Sequence, residues 1–267
     1  MVNESLMLSE LLPLAISIAK SAGGKVMEVY REGTIDAFKK EDGSPLTEAD
    51  LASHRIIANG LEAIAPNWPV LSEEAAPVSF GERRHWKRYW LVDPLDGTKE
   101  FLRKTGEFTI NIALIEERFP VLGVVYAPAI GKLYYAAREM GAFCEMGGKV
   151  ERLAVMPRCG GIIRVVASRS HRGEKLDAFL EKLGEFETLS MGSSLKFCLV
   201  AEGSADIYPR LSPTMEWDTA AAQCIVEEAG GKVVDLSGNR LQYNKDDLRN
   251  PDFLAFCGNF HFAKMPD

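Results

Sequence analysis

What this 267-residue chain lacks narrows its reading first. Cysteine is scarce: Cys144, Cys159, Cys198, Cys224 and Cys257 lie far apart, and no two form a Cys-x-x-Cys pair. That spacing signals neither a disulfide framework nor a zinc site, and a reducing cytoplasm is the setting it suits. Histidine is scarcer, with four residues. His54 has no second histidine at a metal-ligand spacing, so it reads as a partly buried helix residue. No apolar run approaches the ~18 residues of a spanning helix. The N-terminal stretch carries no basic leader, and Glu10 interrupts its apolar run. Attachment at the periphery of the inner membrane is left open. Positive charge is also in deficit. A net charge of −7 argues against a broad basic surface for a nucleic-acid polymer, though not against a local basic pocket. No internal repeat or low-complexity segment is present, and the length fits one large domain or two small ones.

What is present centres on Trp90-Leu91-Val92-Asp93-Pro94-Leu95-Asp96-Gly97-Thr98. The apolar run from Tyr89 to Val92 reads as a buried strand. It stops at two carboxylates with Pro94 between them, and Pro94 holds Asp93 in extended geometry. Asp96-Gly97 is a turn signal. Thr98 is the expected N-cap of a short helix over 99–104. Two carboxylates at a strand end suit hard divalent cations, and Mg²⁺ favours one or two carboxylates plus phosphate oxygens. A Gly-Thr step opening a helix offers N–H groups to an anion. Taken alone, the stretch reads more readily as a strand–turn–helix with two solvated acids.

Other stretches repeat the pattern. The periodicity over Leu6 to Tyr30 predicts one long helix with a soft spot at Gly23-Gly24. Thr47 is the expected N-cap of a second helix, with Glu48 and Asp50 in its first turn, where the helix dipole favours acids whatever their function. The strand over 69–72 ends at Glu73-Glu74, and the polar stretch from Ala75 to Lys87 reads as a surface loop. Strands are expected over Phe108 to Glu116 and Pro120 to Ala127, with a hairpin pair at Lys132 to Ala137 and Gly141 to Glu145. Beyond a loop-like stretch at Arg152 to Gly161, strands and helices alternate as in a layered α/β unit. We place a subdomain boundary there, giving 1–155 and 156–267. The second part supplies the positive groups: His171, Lys196 and Arg210, each just past a strand or at a helix start, and near Ser193 in the order of elements. Each alone is an ordinary surface residue; together they would make an anion pocket. Asp218 precedes a helix, another common place for an acid.

Four stretches in order, Ser44-Pro45-x-Thr47-x-x-Asp50, Leu71-Ser72-Glu73-Glu74, the Asp93 to Thr98 segment, and Glu216-Trp217-Asp218-Thr219-Ala220-Ala221, resemble the inositol monophosphatase superfamily of metal-dependent, lithium-sensitive phosphatases. Lys99-Glu100-Phe101 and the run from Gly192 to Gly203 are similar to its bacterial 3′(2′),5′-bisphosphate nucleotidases of the CysQ type. The resemblance implies an α/β (α+β) fold, a layered αβαβα sandwich of two subdomains. It implies hydrolysis of adenosine 3′,5′-bisphosphate to AMP and phosphate, linked to sulfate assimilation, with Mg²⁺ as cofactor in two or three ions. Glu73, Asp93, Asp96, Asp218 and the Leu95 carbonyl would hold the metal. Asp50 and Thr98 would orient and deprotonate water, and the Gly97 and Thr98 amides would hold the scissile phosphate. His171, Ser193, Lys196 and Arg210 would hold the nucleotide, with Glu73, Leu95, Asp96 and Asp218 also lining the substrate. Rival readings are an inositol or sugar monophosphatase, a non-catalytic nucleotide sensor, and an acidic scaffold. The first has no second phosphate for the Ser193, Lys196 and Arg210 set, and the second has no need of a water-activating pair.

Overall fold

In the computed structural model, which describes residues 7–32, 37–39, 45–155, 161–167 and 173–258, the Tyr89–Val92 run lies inside a seven-stranded sheet. Helix α1 (Leu8–Arg31) comes first, followed by a small antiparallel pair, β1 (Ala37–Lys39) and β2 (Pro45–Thr47), and by α2 (Glu48–Ile64). The large sheet is then built by β3 (Val70–Ser72), β4 (Arg88–Asp96), β5 (Thr109–Glu116), β6 (Phe119–Ala127), β7 (Lys132–Ala137), β8 (Gly141–Met146) and β9 (Lys149–Leu153), in that spatial order. Short helices α3 (Phe80–Arg83) and α4 (Thr98–Leu102) flank β4. From β4 onward the strands pair antiparallel, whereas β3 and β4 run parallel. The second sheet contains β10 (Ile163–Ala167), β11 (Phe186–Ser190), β12 (Ile207–Arg210), β13 (Gly231–Asp235) and β14 (Phe253–Cys257), ordered β11-β10-β12-β14-β13. Between its strands fall α5 (Glu174–Leu183), α6 (Leu195–Ala201), a 3₁₀ turn (Glu216–Asp218) and α7 (Ala220–Glu228).

Three apolar cores stack these elements into five layers. The outer helices α1 and α2 bury Leu11, Ala15, Val26, Ile57 and Leu61 against Trp90, Val92, Ile112 and Leu114 of the large sheet. The opposite face, with Leu91, Ala113 and Val125, packs on α6 and α7, whose far side meets Tyr208, Val233 and Phe253 of the small sheet. Helix α5 closes the stack with Leu176, Phe179 and Leu180 on Val165, Ile207 and Phe256. Helix α7 is apolar around nearly its whole circumference because it is an inner layer: every residue from Ala220 to Val226 is buried. This is the αβαβα sandwich expected from the motifs.

Several local expectations change. The Gly23-Gly24 pair does not soften α1, which continues unbroken through it. A Cβ at Gly23 would fall 2.4 Å from the Tyr126 ring, so this glycine lets α1 lie close on β6. The stretch after Glu74 is not simply a polar loop. It contains α3, and Arg83 is buried, donating to the Asn244 side chain and to the Lys245 and Asp246 carbonyls. Strand β9, an exposed edge, adds a partner to the β7–β8 hairpin.

The layers approach closely at Gly123 on β6, where a Cβ would stand 2.2 Å from the Ala221 carbonyl oxygen of α7. Backbone cannot rotate aside as a side chain can. Gly123→Ala should therefore destabilise by about 3 kcal/mol and lower the thermal midpoint by roughly 6–12 °C. Exposed Gly24, where an added methyl would meet nothing within 4 Å, should respond the other way, Gly24→Ala gaining about 0.5–1 kcal/mol. Calorimetry of both variants checks the pair, and an unshifted Gly123→Ala midpoint would refute the layer contact.

Candidate functional site

The acids converge because of how β3 and β4 end. Parallel pairing sets Ser72 opposite Val92, so the next residues, Glu73 and Asp93, emerge together. The Glu73 amide donates to the Val92 carbonyl (3.2 Å). In β4 the register against β5 slips between Asp93, opposite Asn111, and Asp96, opposite Thr109. Three steps on one strand match two on the other. This bulge cancels the alternation that would send residues three apart to opposite faces. Asp93 is 1 % exposed, and its Oδ1 accepts the Leu95 amide at 3.0 Å. Asp218 arrives from the 3₁₀ turn before α7. Ligand oxygens of Glu73, Asp93 and Asp218 lie within 4.8 Å of one another. Asp96 stands beside this trio and lines the same cleft, but its Oδ2 is turned toward Ser194.

The chain turns sharply after Asp96. Gly97 is left-handed at φ 91° and is the N-cap of α4, so Thr98, expected as the cap, is the first helical residue instead. The φ favours glycine, and a Cβ there would crowd the Glu107 carbonyl and Ser193. The turn carries Thr98 back to Asp50: Thr98 Oγ1 donates to Asp50 Oδ1 at 3.3 Å, with the Leu95 carbonyl as its alternative acceptor at 3.4 Å. Asp50, almost fully buried, is fixed through Oδ2 by the Thr47 amide (2.8 Å) and hydroxyl (2.5 Å). The first-turn acid of α2 therefore both caps its helix and faces the site. Two further α2 side chains brace the same loops, Ser53 donating to the Pro94 carbonyl (2.7 Å) and His54 contacting the Ser72 hydroxyl (2.9 Å). His54 stands outside the acidic trio, as its sequence context implied.

Positive charge enters from the small sheet. Lys196 on α6 is 6 % exposed, and its Nζ donates to the Ser193 carbonyl at 2.6 Å. Burial pulls its pKa down to about 8, against the pull of the Asp96 charge. Arg210 ends β12 and donates to the Pro213 carbonyl. The Ser193 hydroxyl and Arg210 Nε are buried with no hydrogen-bond partner among the described residues. Glu73, Asp96, Gly97, Thr98, Ser193, Lys196, Arg210 and Asp218 all line one cleft of about 340 Å³. His171 lies outside the described residues.

Some supporting residues carried no sequence signal. Glu216, quoted only as part of a motif, is completely buried and accepts the Asn244 and Lys245 amides and the Lys245 ammonium (2.6–2.9 Å). Asn250 donates to the Met215 carbonyl and the Thr219 hydroxyl. Together they clamp the turn that carries Asp218. Ser194, hidden beside the expected Ser193, binds Asp96, Asn111 and the Asp218 carbonyl. Glu216 and Ser194 lie inside quoted runs with no role assigned to them there, and Asn250 lies in none.

The donor set fits a hard divalent cation: carboxylate oxygens only, converging on one point. Asp93 is pushed well above the usual carboxyl range by burial first, then by Glu73, Asp96 and Asp218. Burial and the Asp96 charge push Asp218 up to about 8. Both acids therefore hold a proton more tightly in the metal-free fold than in the unfolded chain. The stabilising contribution of Asp218 is full below about pH 4 and is lost as pH rises through about 8. We expect the thermal midpoint of chelator-treated protein to fall from about pH 6 to about pH 8.5, with Asp218→Asn flattening the fall and Mg²⁺ restoring the midpoint at the alkaline end. A variant that tracks the wild type across this range would remove Asp218 from the repelling cluster.

A model of the inositol monophosphatase family matches residues 7–255. The 3′(2′),5′-bisphosphate nucleotidase CysQ of Salmonella typhimurium is 49% identical over 91% of this chain and 98% of its own length. The crystal structure of CysQ from Bacteroides thetaiotaomicron, at 40% identity, superposes with a TM-score of 0.86 and covers 96% of this chain and all of that one. The Thermotoga maritima IMPase is more distant, with 27% identity and a TM-score of 0.77 over 93% and 92% of the two chains. Among the described residues, no helix is long and apolar enough to cross a membrane.

Proposed function

The chain belongs to the inositol monophosphatase family, a family of metal-dependent phosphatases, and from that premise we propose that it is a Mg²⁺-dependent 3′(2′),5′-bisphosphate nucleotidase releasing phosphate and AMP from adenosine 3′,5′-bisphosphate. The observation that carries this reading is the buried Lys196 beside Arg210 in the cleft that also holds the acids. A second phosphate on the substrate explains cationic donors away from the reacting centre. The Salmonella typhimurium relative is named a 3′(2′),5′-bisphosphate nucleotidase.

We assign the cations, two or three Mg²⁺, to Glu73, Asp93, Asp96, Asp218 and the Leu95 carbonyl. When bound, divalent cations acidify a water and stabilise the leaving oxygen. The chain's own groups do the rest. Asp50, anchored through Oδ2, keeps Oδ1 toward Thr98. Thr98 Oγ1 orients the attacking water and passes its proton toward Asp50. The Gly97 and Thr98 amides hold the scissile phosphate, and Ser193, Lys196, Arg210 and His171 hold the remote one and its nucleotide. Remote binding fixes the reacting phosphate for in-line attack. A dianionic phosphate also opposes the burial that lowers the Lys196 pKa, keeping it charged. In this reading segment 1–155 supplies the water-activating pair and most metal ligands, and segment 156–267 the nucleotide contacts and Asp218.

Phosphate release from adenosine 3′,5′-bisphosphate beside inositol 1-phosphate, with Mg²⁺ and with or without lithium, tests the reading. Mg²⁺-dependent, lithium-sensitive release from the nucleotide in preference to the inositol ester is expected. Preference for the inositol ester would overturn the substrate assignment while keeping the metal chemistry. Lys196→Ala should lower kcat/KM for the bisphosphate by about tenfold to a hundredfold, since a charged hydrogen bond is lost, and leave a simple phosphomonoester within about threefold. Equal losses would place the second phosphate elsewhere. Asp93→Asn should remove most activity without lowering the thermal midpoint of metal-free protein, because it relieves repulsion; near-normal turnover would take Asp93 out of the metal site.

A further inference from the structure

The loop 192–194 is held on carboxylates of the large-sheet side of the cleft. The Gly192 amide donates to Glu107 Oε2 (2.8 Å), and the Ser194 amide and hydroxyl both donate to Asp96 Oδ2 (2.6 and 2.8 Å). Between them Ser193 sits at φ 46°, a left-handed backbone that serine rarely adopts. Its carbonyl accepts Lys196 Nζ, and its hydroxyl has no partner among the described residues. One short backbone therefore has Asp96 on one side and the Lys196 ammonium on the other.

Ser194 Oγ is the centre of this arrangement. It accepts from Asn111 Nδ2 (2.8 Å) and has a single proton for two acceptors, Asp96 Oδ2 and the Asp218 carbonyl, each 2.8 Å away. It thus contacts β5, the end of β4 and the turn before α7 at once. The residue is 2 % exposed, so none of these contacts is exchanged with solvent.

We propose that Ser194 is a positioning residue that couples cation binding at Asp96 to anion binding at Ser193 and Lys196. The proposal rests on the nucleotidase reading for the identity of the two sites. Ser194 fixes Asp96 through Oδ2, leaving Oδ1 as the oxygen available to a cation. The same bond holds the left-handed Ser193 that presents its hydroxyl and positions the lysine. A cation that fixes Asp96 therefore steadies the anion pocket, and by linkage an anion in that pocket must tighten the cation by the same factor.

The test is Mn²⁺ binding to the full chain by electron paramagnetic resonance, with and without saturating AMP, the weak Mn²⁺–AMP complex being subtracted with a protein-free blank. AMP carries the 5′-phosphate but no scissile one, so no turnover intervenes. In the wild type AMP should tighten Mn²⁺ by about fivefold or more, within the usual range of coupling between sites. Ser194→Ala keeps the backbone N–H but loses the hydroxyl, and its factor should fall to about twofold or less. Ser194→Thr keeps the hydroxyl and should retain the wild-type factor. Circular dichroism melts of all three confirm that each is folded at the titration temperature. An unchanged factor in Ser194→Ala, a Thr variant that behaves like Ala, or a wild type without coupling overturns the proposal. Failure of the nucleotidase reading would appear separately, as wild-type protein that couples Mn²⁺ to AMP but releases no phosphate from adenosine 3′,5′-bisphosphate.

Discussion

Repulsion among carboxylates that the backbone forbids to separate is the constraint on which the site depends. Glu73 and Asp93 emerge side by side from parallel strands, the β4 bulge brings Asp96 round to the same side, and α7's leading turn delivers Asp218. Asp93 is buried, and all four stand on backbone held by a strand pairing or a helix start. Burial first, and the neighbouring carboxylates second, hold Asp93 and Asp218 above the usual carboxyl range. Confined oxygens of one sign are preorganised for a cation, because the work of bringing them together is done by folding and not at the moment of binding.

That work is supplied by the layers. Five layers share three apolar cores, and the inner helices α6 and α7 are buried on both sides. Helix α7 lies near enough to β6 for Gly123 to meet the Ala221 carbonyl, so Asp218, in the turn just before it, is indexed to the large sheet and not only to the small one. Buried Glu216, with Lys245 and the Asn244 amide, fixes the start of that turn. An acid placed by a 3₁₀ turn would otherwise be the least constrained of the set. The lysine that faces the acids is likewise buried on α6 in the same inner layer, and the cleft opens where the two inner helices start.

Much of this was legible in the sequence, and what escaped has a common cause. The β4 run, its Pro94 and Asp96-Gly97 punctuation, the Thr47–Asp50 helix start and the order of the four motifs are local patterns, and local patterns survive without coordinates. The seven-stranded sheet was readable except at β9, whose Lys149–Leu153 segment lies at an exposed edge and carries no apolar alternation. Thr98 was misread by one position because Gly97, through its left-handed φ, takes the capping place without a side-chain oxygen. Arg83, Ser194 and Glu216 were illegible for another reason. Their meaning lies in partners remote along the chain: Asn244 for Arg83, Asp96 for Ser194, Lys245 for Glu216. A buried arginine in a polar stretch and a serine next to a serine look like solvated residues until the layers close.

The same distinction explains how a repelling cluster persists in a stable fold. Each aspartate of the cluster has at least one fixed donor that does not compete for all of its oxygens: the Leu95 amide on Asp93, the Met215 amide on Asp218, Ser194 on Asp96. On Asp93 and Asp218 these bonds favour the charged form and partly offset the desolvation that opposes it. They also choose which oxygen stays outward. Asp50 follows the rule on the other side of the cleft, with Oδ2 committed to its helix cap and Oδ1 directed at Thr98. A carboxylate has two oxygens, and each of these aspartates gives one to a fixed donor of the fold. A cation in the cleft would take the second oxygen, and so would not compete with the fold for the same atom.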